Sequence, residues 1–155
     1  MKLLSTIAAI VALAVSPVGA QTLRVGTFQK QAVVVAFYRS PLWSETTKAK
    51  IAERDAAKKA NDTAKVQELE AWGSGHQELS HRQLAGEAPI TNIMEALAPA
   101  LPEIAKRAGV SLITEDIAFT DPSIQKVDIT DLLLTHLNAD ARTLAIIHDL
   151  RKQKP

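Results

Sequence analysis

Apolar and polar positions alternate over residues 22–27 (TLRVGT), with Leu23 and Val25 set against polar neighbours. That period of two predicts a short strand closed by Gly26-Thr27. Residues 28–38 (FQKQAVVVAFY) carry two conflicting signals. The β-branched run Val33-Val34-Val35 favours a strand. The position between Thr27, a potential N-cap, and the Ser40-Pro41 stop favours a short helix. A helix is expected from Glu45 to about Ala60, with Ser44 as cap and a stripe of small residues, Ala49, Ala52, Ala56 and Ala60, beside Ile51. After Asn61-Asp62, a second helix from about 63 to 85 places Val66, Leu69, Trp72 or Gly73, His76, Leu79 and Gln83 at spacings of three and four. Gly73 and Gly75 weaken it locally, as a bend or a point of close backbone approach would. Two helices joined by a short polar break predict an antiparallel αα-hairpin over 45–85.

Gly86-Glu87-Ala88-Pro89 ends the hairpin. Thr91 is placed to cap a third helix, 92–107, which Pro99 and Pro102 should break or kink near 98–102, and Gly109 should stop it. Val110–Thr114 and Ile117–Phe119 are strand candidates, the second ending at the turn signal Thr120-Asp121-Pro122-Ser123. Val127-Asp128-Ile129 reads as a brief extended piece. Thr130 is expected to cap the apolar helix DLLLTHL, and a last helix runs on from Asn138 with Leu144, Ile146, Ile147 and Leu150 apolar. The first strand must therefore pair with strands far along the chain. The predicted fold class is α+β, mostly helical overall: a small β-containing body with a projecting antiparallel helical hairpin.

The opening MKLLSTIAAIVALAVSPVGA changes where this protein is expected to act. Lys2 precedes an apolar stretch, Leu3 to Val15, and Pro17 breaks it. Val18 and Ala20 then put small residues at the positions a signal peptidase reads before Gln21. Residues 1–20 are thus expected to be a cleaved signal peptide and residues 21–155 a single exported domain, periplasmic, with no stable membrane span after cleavage. The apolar stretch is shorter than the ~20 residues needed to cross a bilayer. The whole chain holds 18 basic and 17 acidic residues, so loss of Lys2 leaves 17 − 17 = 0. Such a balance argues against nucleic acid or an anionic membrane surface as an electrostatic partner. The absence of cysteine excludes disulfides, thiolate metal sites and cysteine nucleophiles.

Nothing in the chain assembles a catalytic motif. His76 and His81 are five apart, which does not place them on one helix face as i,i+4 metal ligands would be. No GxSxG elbow is present, and Ser74 lies between two glycines within a helical stretch. No phosphate-binding glycine loop occurs. Glu68/Glu70 and Glu115/Asp116 read as a solvated face and a turn. The alternating charges from Lys48 to Lys65 read as a solvated helix with i,i+4 pairs. No catalytic residue, metal site or cofactor is expected.

The stretch Val110–Leu137 resembles the end of the Skp/OmpH family of periplasmic chaperones. The resemblance is carried by Ser111–Thr114, Ile117–Phe119, Asp121–Ser123 and the step Asp128-Ile129-Thr130 into Asp131-Leu132-Leu133-Leu134. Leu23-Arg24-Val25-Gly26-Thr27 looks like that family's first strand. The resemblance implies a homo-oligomer, a trimer with a shared β body and coiled-coil arms. It implies ATP-independent holding of unfolded envelope or outer-membrane proteins, an activity that is not enzymatic. The client-binding surface would then lie around Ile51, Val66, Leu69, Trp72 and Leu79. The alternative function is a non-catalytic structural or adaptor protein of the envelope whose hairpin binds one specific partner.

Overall fold

A computed structural model describes residues 23–152; the expected signal peptide, residues 1–20, lies outside them. The elements run β1 (Arg24–Thr27), α1 (Lys30–Arg39), α2 (Pro41–Lys59), α3 (Thr63–Ala85), α4 (Thr91–Leu97) and α5 (Leu101–Ala108). They continue with β2 (Leu112–Thr114), β3 (Gln125–Asp128), α6 (Thr130–His136) and α7 (Ala141–Lys152). The described residues form a mostly helical α+β fold, as the apolar pattern predicts, and their strands make a three-stranded parallel sheet.

The conflict over residues 28–38 resolves as α1. Ala32 through Phe37 are buried without interruption, and Val33 and Val34 are wholly enclosed. A helix that is apolar on every side belongs in a core, and α1 is packed by α2, α3, α6 and α7. Around it gather Ile90, Ile93 and Leu97 of α4, Ile104 of α5, Ile129, Leu133 and Leu134 at α6, and Ile147 of α7. Helical packing on several sides overrides the strand preference of three consecutive valines.

Ser40 joins α1 to α2. Its hydroxyl donates to Phe37 O (2.6 Å) and accepts from Trp43 N (3.3 Å), so one buried side chain closes the first helix and caps the second. Pro41 occupies the first turn of α2, where a fixed φ and a missing N–H cost nothing. The expected cap Ser44 is therefore corrected: it lies inside α2, donating to Pro41 O (3.1 Å). Asn61, in the left-handed region at φ 55°, turns the chain, and the Asp62 carboxylate caps α3 by accepting from Lys65 N (3.0 Å).

Pro99 and Pro102 divide the expected helix 92–107 into α4 and α5, with Pro102 in the first turn of α5. Gly109, at φ 63°, closes α5. Thr91 does not cap α4, because the buried Ile90 holds that position and Thr91 is the first helical residue.

The sheet order is β2-β1-β3, with both neighbours parallel to β1. Gly26 sits where a Cβ would come within 3.2 Å of Val110 and 3.3 Å of Ile129, so glycine permits this close approach. Because β2 and β3 flank β1 and run the same way, the chain between them must return along the sheet and change edges. That geometry overturns the strand expected at Ile117–Phe119: the segment is crossover, and Phe119 is 83% exposed. Thr130 is likewise the first residue of α6 rather than its cap. Its N–H donates to Asp128 Oδ1 (2.8 Å), while its hydroxyl accepts from Gln29 N (2.9 Å), tying the start of α6 to the start of α1. The last helix starts at Ala141 rather than Asn138. Asp140 accepts from Thr143 N (2.7 Å), and its bonds to Thr143 hold that carboxyl below its ordinary pKa.

Gly73 and Gly75 mark neither bend nor close approach. Helix α3 runs through both, and nothing lies within 4 Å of a Cβ added at either. Gly73→Ala and Gly75→Ala should each stabilise the protein by about 0.5–1 kcal/mol. Thermal unfolding followed by circular dichroism should show a higher midpoint for each variant.

Candidate interaction surface

Helices α2 and α3 form the arm, about 28 and 34 Å long at 1.5 Å per residue. Along α2, Trp43, Thr47, Lys50, Arg54 and Ala57 are shielded in steps of four and three. Along α3 the shielded positions are Val66, Leu69, Trp72, His76, Leu79 and Gln83. These spacings define the seam of an antiparallel helix pair. The stripe Ala49, Ala52, Ala56 and Ala60 faces solvent instead. The start of α2 at Pro41 and the stacking of Trp43 set the register that turns it outward.

The seam is unequal along its length. At the root, the Trp43 and Trp72 rings stack at 5.7 Å between centroids, and His76 lies 4.4 Å from Trp72 and 5.3 Å from Trp43. Tyr38 meets Trp43 edge-on at 5.1 Å, and Phe37 meets Tyr38 at 5.2 Å, so a chain of rings leads from the core of the body into the arm. Aromatic pairs of this geometry contribute about 0.5–1.5 kcal/mol each beyond their buried area. Farther out, the fully buried positions are Ala57 and Leu69. Lys50–Glu53, Arg54–Asp55, Lys58–Glu70 and Lys65–Glu68 are ion pairs on the distal arm. The Lys50 ammonium holds the Glu53 carboxyl below its ordinary range, and the Glu68 carboxylate raises the Lys65 ammonium. Exposed pairs of this kind add little stability.

Gln83 fastens the arm to the body. Its side chain is completely buried, accepts from Tyr38 OH (2.9 Å), and donates to Pro89 O (2.7 Å) and Asn92 Oδ1 (2.6 Å). The signal in the sequence was a glutamine on the apolar stripe of α3, where a polar group needs buried partners. Those partners lie on α1 and α4, which the sequence does not reveal.

Of the five residues expected to meet a client, four share the inner face of α3. Leu69 is buried, while Val66, Trp72 and Leu79 are half-buried in the seam. Ile51 lies outside the seam and is 45% exposed. Hollows among the described residues include the following two. One, about 720 Å³, opens at the start of α1 between Phe28, Lys30, Glu115, Ile147, Leu150 and Arg151. Of its charged groups, Lys30 pairs with Glu115, and Arg151 donates to Gln29 Oε1 at 2.8 Å. The other, about 250 Å³, lies among Val35, Tyr38, Ser80, Leu84 and Ile146. Among the described residues no three histidines or carboxylates gather as metal ligands, and no helix is long and apolar enough to cross a membrane.

No protein-family model matches the chain, and no curated protein or solved structure is significantly similar to it.

Replacing Gln83 with leucine should leave the Pro89 carbonyl and Asn92 side chain without their buried partner. Gln83→Leu is expected to cost about 1–3 kcal/mol. Urea unfolding should show a lower midpoint, while the exposed control Gln77→Leu should shift it little.

Proposed function

We propose that this chain is an exported binding protein of the cell envelope, Skp/OmpH-like in plan, that acts through its arm without catalysis. The observation that carries this reading is the arm itself: two long helices anchored at one end through α1, with mixed charge along the exposed outside. A surface of this kind suits protein contact. Between the two forms of the proposal, the closed seam favours an adaptor that meets one specific partner, because four of the five apolar residues suited to a client are turned inward. The holdase reading draws on a different observation. The distal seam buries only Ala57 and Leu69 fully, so opening it sacrifices few apolar contacts and frees Val66, Leu69 and Trp72 for an unfolded envelope protein.

Self-association belongs to the same proposal. A homo-oligomer, a trimer by the family resemblance, would cover sheet surface that is exposed in the single chain and hold several arms side by side. Purified residues 21–155 should show a mass above one chain by light scattering. A sharp loss of that mass is expected for Leu112→Lys.

Aggregation of several unfolded outer-membrane proteins, followed by turbidity, separates the two forms. The adaptor predicts no general suppression at equimolar protein, together with retention of one folded envelope protein. The holdase predicts suppression across clients, weakened by Leu69→Ser. Neither suppression nor a retained partner would remove the proposal.

A further inference from the structure

The packing of α3 gives no reason for Gly73 and Gly75. Neither has the positive φ that favours glycine, and a Cβ at either would meet nothing within 4 Å. What glycine does there is weaken the helix, lowering its local stability about fivefold relative to alanine at each position. Ser74, between them, donates to Glu70 O (3.0 Å) and Ala71 O (3.2 Å). Back-bonding of this kind bends and slightly destabilises helices. Three consecutive residues thus make a weak turn inside a 23-residue helix.

The same turn is bridged on its inner side. Trp72 and His76 flank it with their rings 4.4 Å apart, and His76 Nδ1 lies 2.8 Å from Trp72 O. Both rings pack on Trp43, at 5.7 and 5.3 Å. Trp43 stands three residues beyond Ser40, whose extended backbone (ψ 157°) separates α1 from α2. Pro41, the first residue of α2, has no N–H to continue the hydrogen bonds of α1. The segments that join arm to body, Ser40-Pro41 and Gly73–Gly75, therefore lie at one level, beside the ring stack. Inward of that level, Gln83 ties α3 to Tyr38, Pro89 and Asn92. Outward, Lys50–Glu53, Lys58–Glu70 and Lys65–Glu68 join arm residues to one another.

We propose that this level is a latched hinge. Residues 41–72 swing on the body as one unit about Ser40-Pro41 and Gly73–Gly75, and the ring stack holds the observed direction. Hinges are a few loop or element-terminal residues, often small, that absorb backbone rotation. The latch crosses the level: His76 and Tyr38 stay with the body, while Trp43 and Trp72 move with the arm. In this motion α2 and α3 remain paired, which separates it from an opening of the seam. The hinge stands whatever the arm binds.

The chain has no cysteine, so paired thiols for spin labels can be placed in full-length protein, residues 1–155. Ala56→Cys with Glu95→Cys spans arm and body, and Ala56→Cys with Ala71→Cys spans the two helices of the arm, all at exposed positions. Distances are read by pulsed electron spin resonance. His76→Ala should raise the population of a second arm-to-body distance about tenfold, as the loss of two ring contacts implies. The distance within the arm should not change. Trp43→Leu, which removes the latch from the α2 side, should act in the same way and supplies the reading should His76→Ala not fold. Adding Gly73→Ala and Gly75→Ala to either variant should bring back the single distance. An unchanged arm-to-body distance in the unlatched variants would overturn the proposal, as would a second distance that persists after the alanines. A change in both pairs together would mean that the seam opens instead, and would also overturn it.

Discussion

Burial of α1 is the constraint on which the remaining structure depends. A ten-residue helix with six consecutive buried positions has almost no side left for water, so it must be enclosed. Each large apolar side chain so enclosed contributes about 1.5–3 kcal/mol, and the surrounding helices supply the enclosure. Both ends of α1 then become junctions. At its start, Gln29 is held by the Thr130 hydroxyl, which fixes the sheet-to-α6 corner. At its end, Ser40 turns the chain into α2, while Tyr38 reaches Gln83 and the ring stack. The direction of the arm is thus set by the helix buried at the centre of the body.

The same logic explains the gradient along the arm. Near α1, aromatic stacking and the satisfied Gln83 network combine apolar burial with directional bonds. Polar networks of that kind specify one geometry, because misplacing any member strands the others. Beyond Trp72 the facing positions of α2 are Thr47, Lys50 and Arg54; the long side chains of Lys50 and Arg54 shield the seam with their stems and keep their charges near water. Under either proposed function, a fixed root with a loosely closed outer half gives the arm a defined direction and an adaptable surface.

Elements with strong punctuation were legible in the sequence. The hairpin followed from amphipathic spacing around Asn61-Asp62, the α4–α5 break from Pro99 and Pro102, and the end of α5 from Gly109. Local signals failed where distant packing decided. The alanine stripe marked the wrong face of α2, since Trp43 stacking fixed the rotation of that helix. Ile117–Phe119 has strand composition, yet the parallel pairing of β2 and β3 with β1 requires that segment as a crossover. Ser44 and Thr130 are chemically suitable caps, but Ser40-Pro41 starts α2 four residues before Ser44, and Thr130 is already the first helical residue of α6, with its N–H bonded to Asp128. Of the candidate site, the shared face of Val66, Leu69, Trp72 and Leu79 was readable from period alone. That α2 closes over it was not, because α2 offers so few apolar positions to signal a seam.

Native-state amide hydrogen exchange, resolved by residue, tests this hierarchy most directly. The account predicts that Val33–Phe37 of α1 exchange only through global unfolding, while amides between Thr47 and Leu69 exchange through a local opening at least about tenfold more often. Equal protection along the arm and α1, falling together with denaturant, would contradict a core-centred fold with a weakly closed arm.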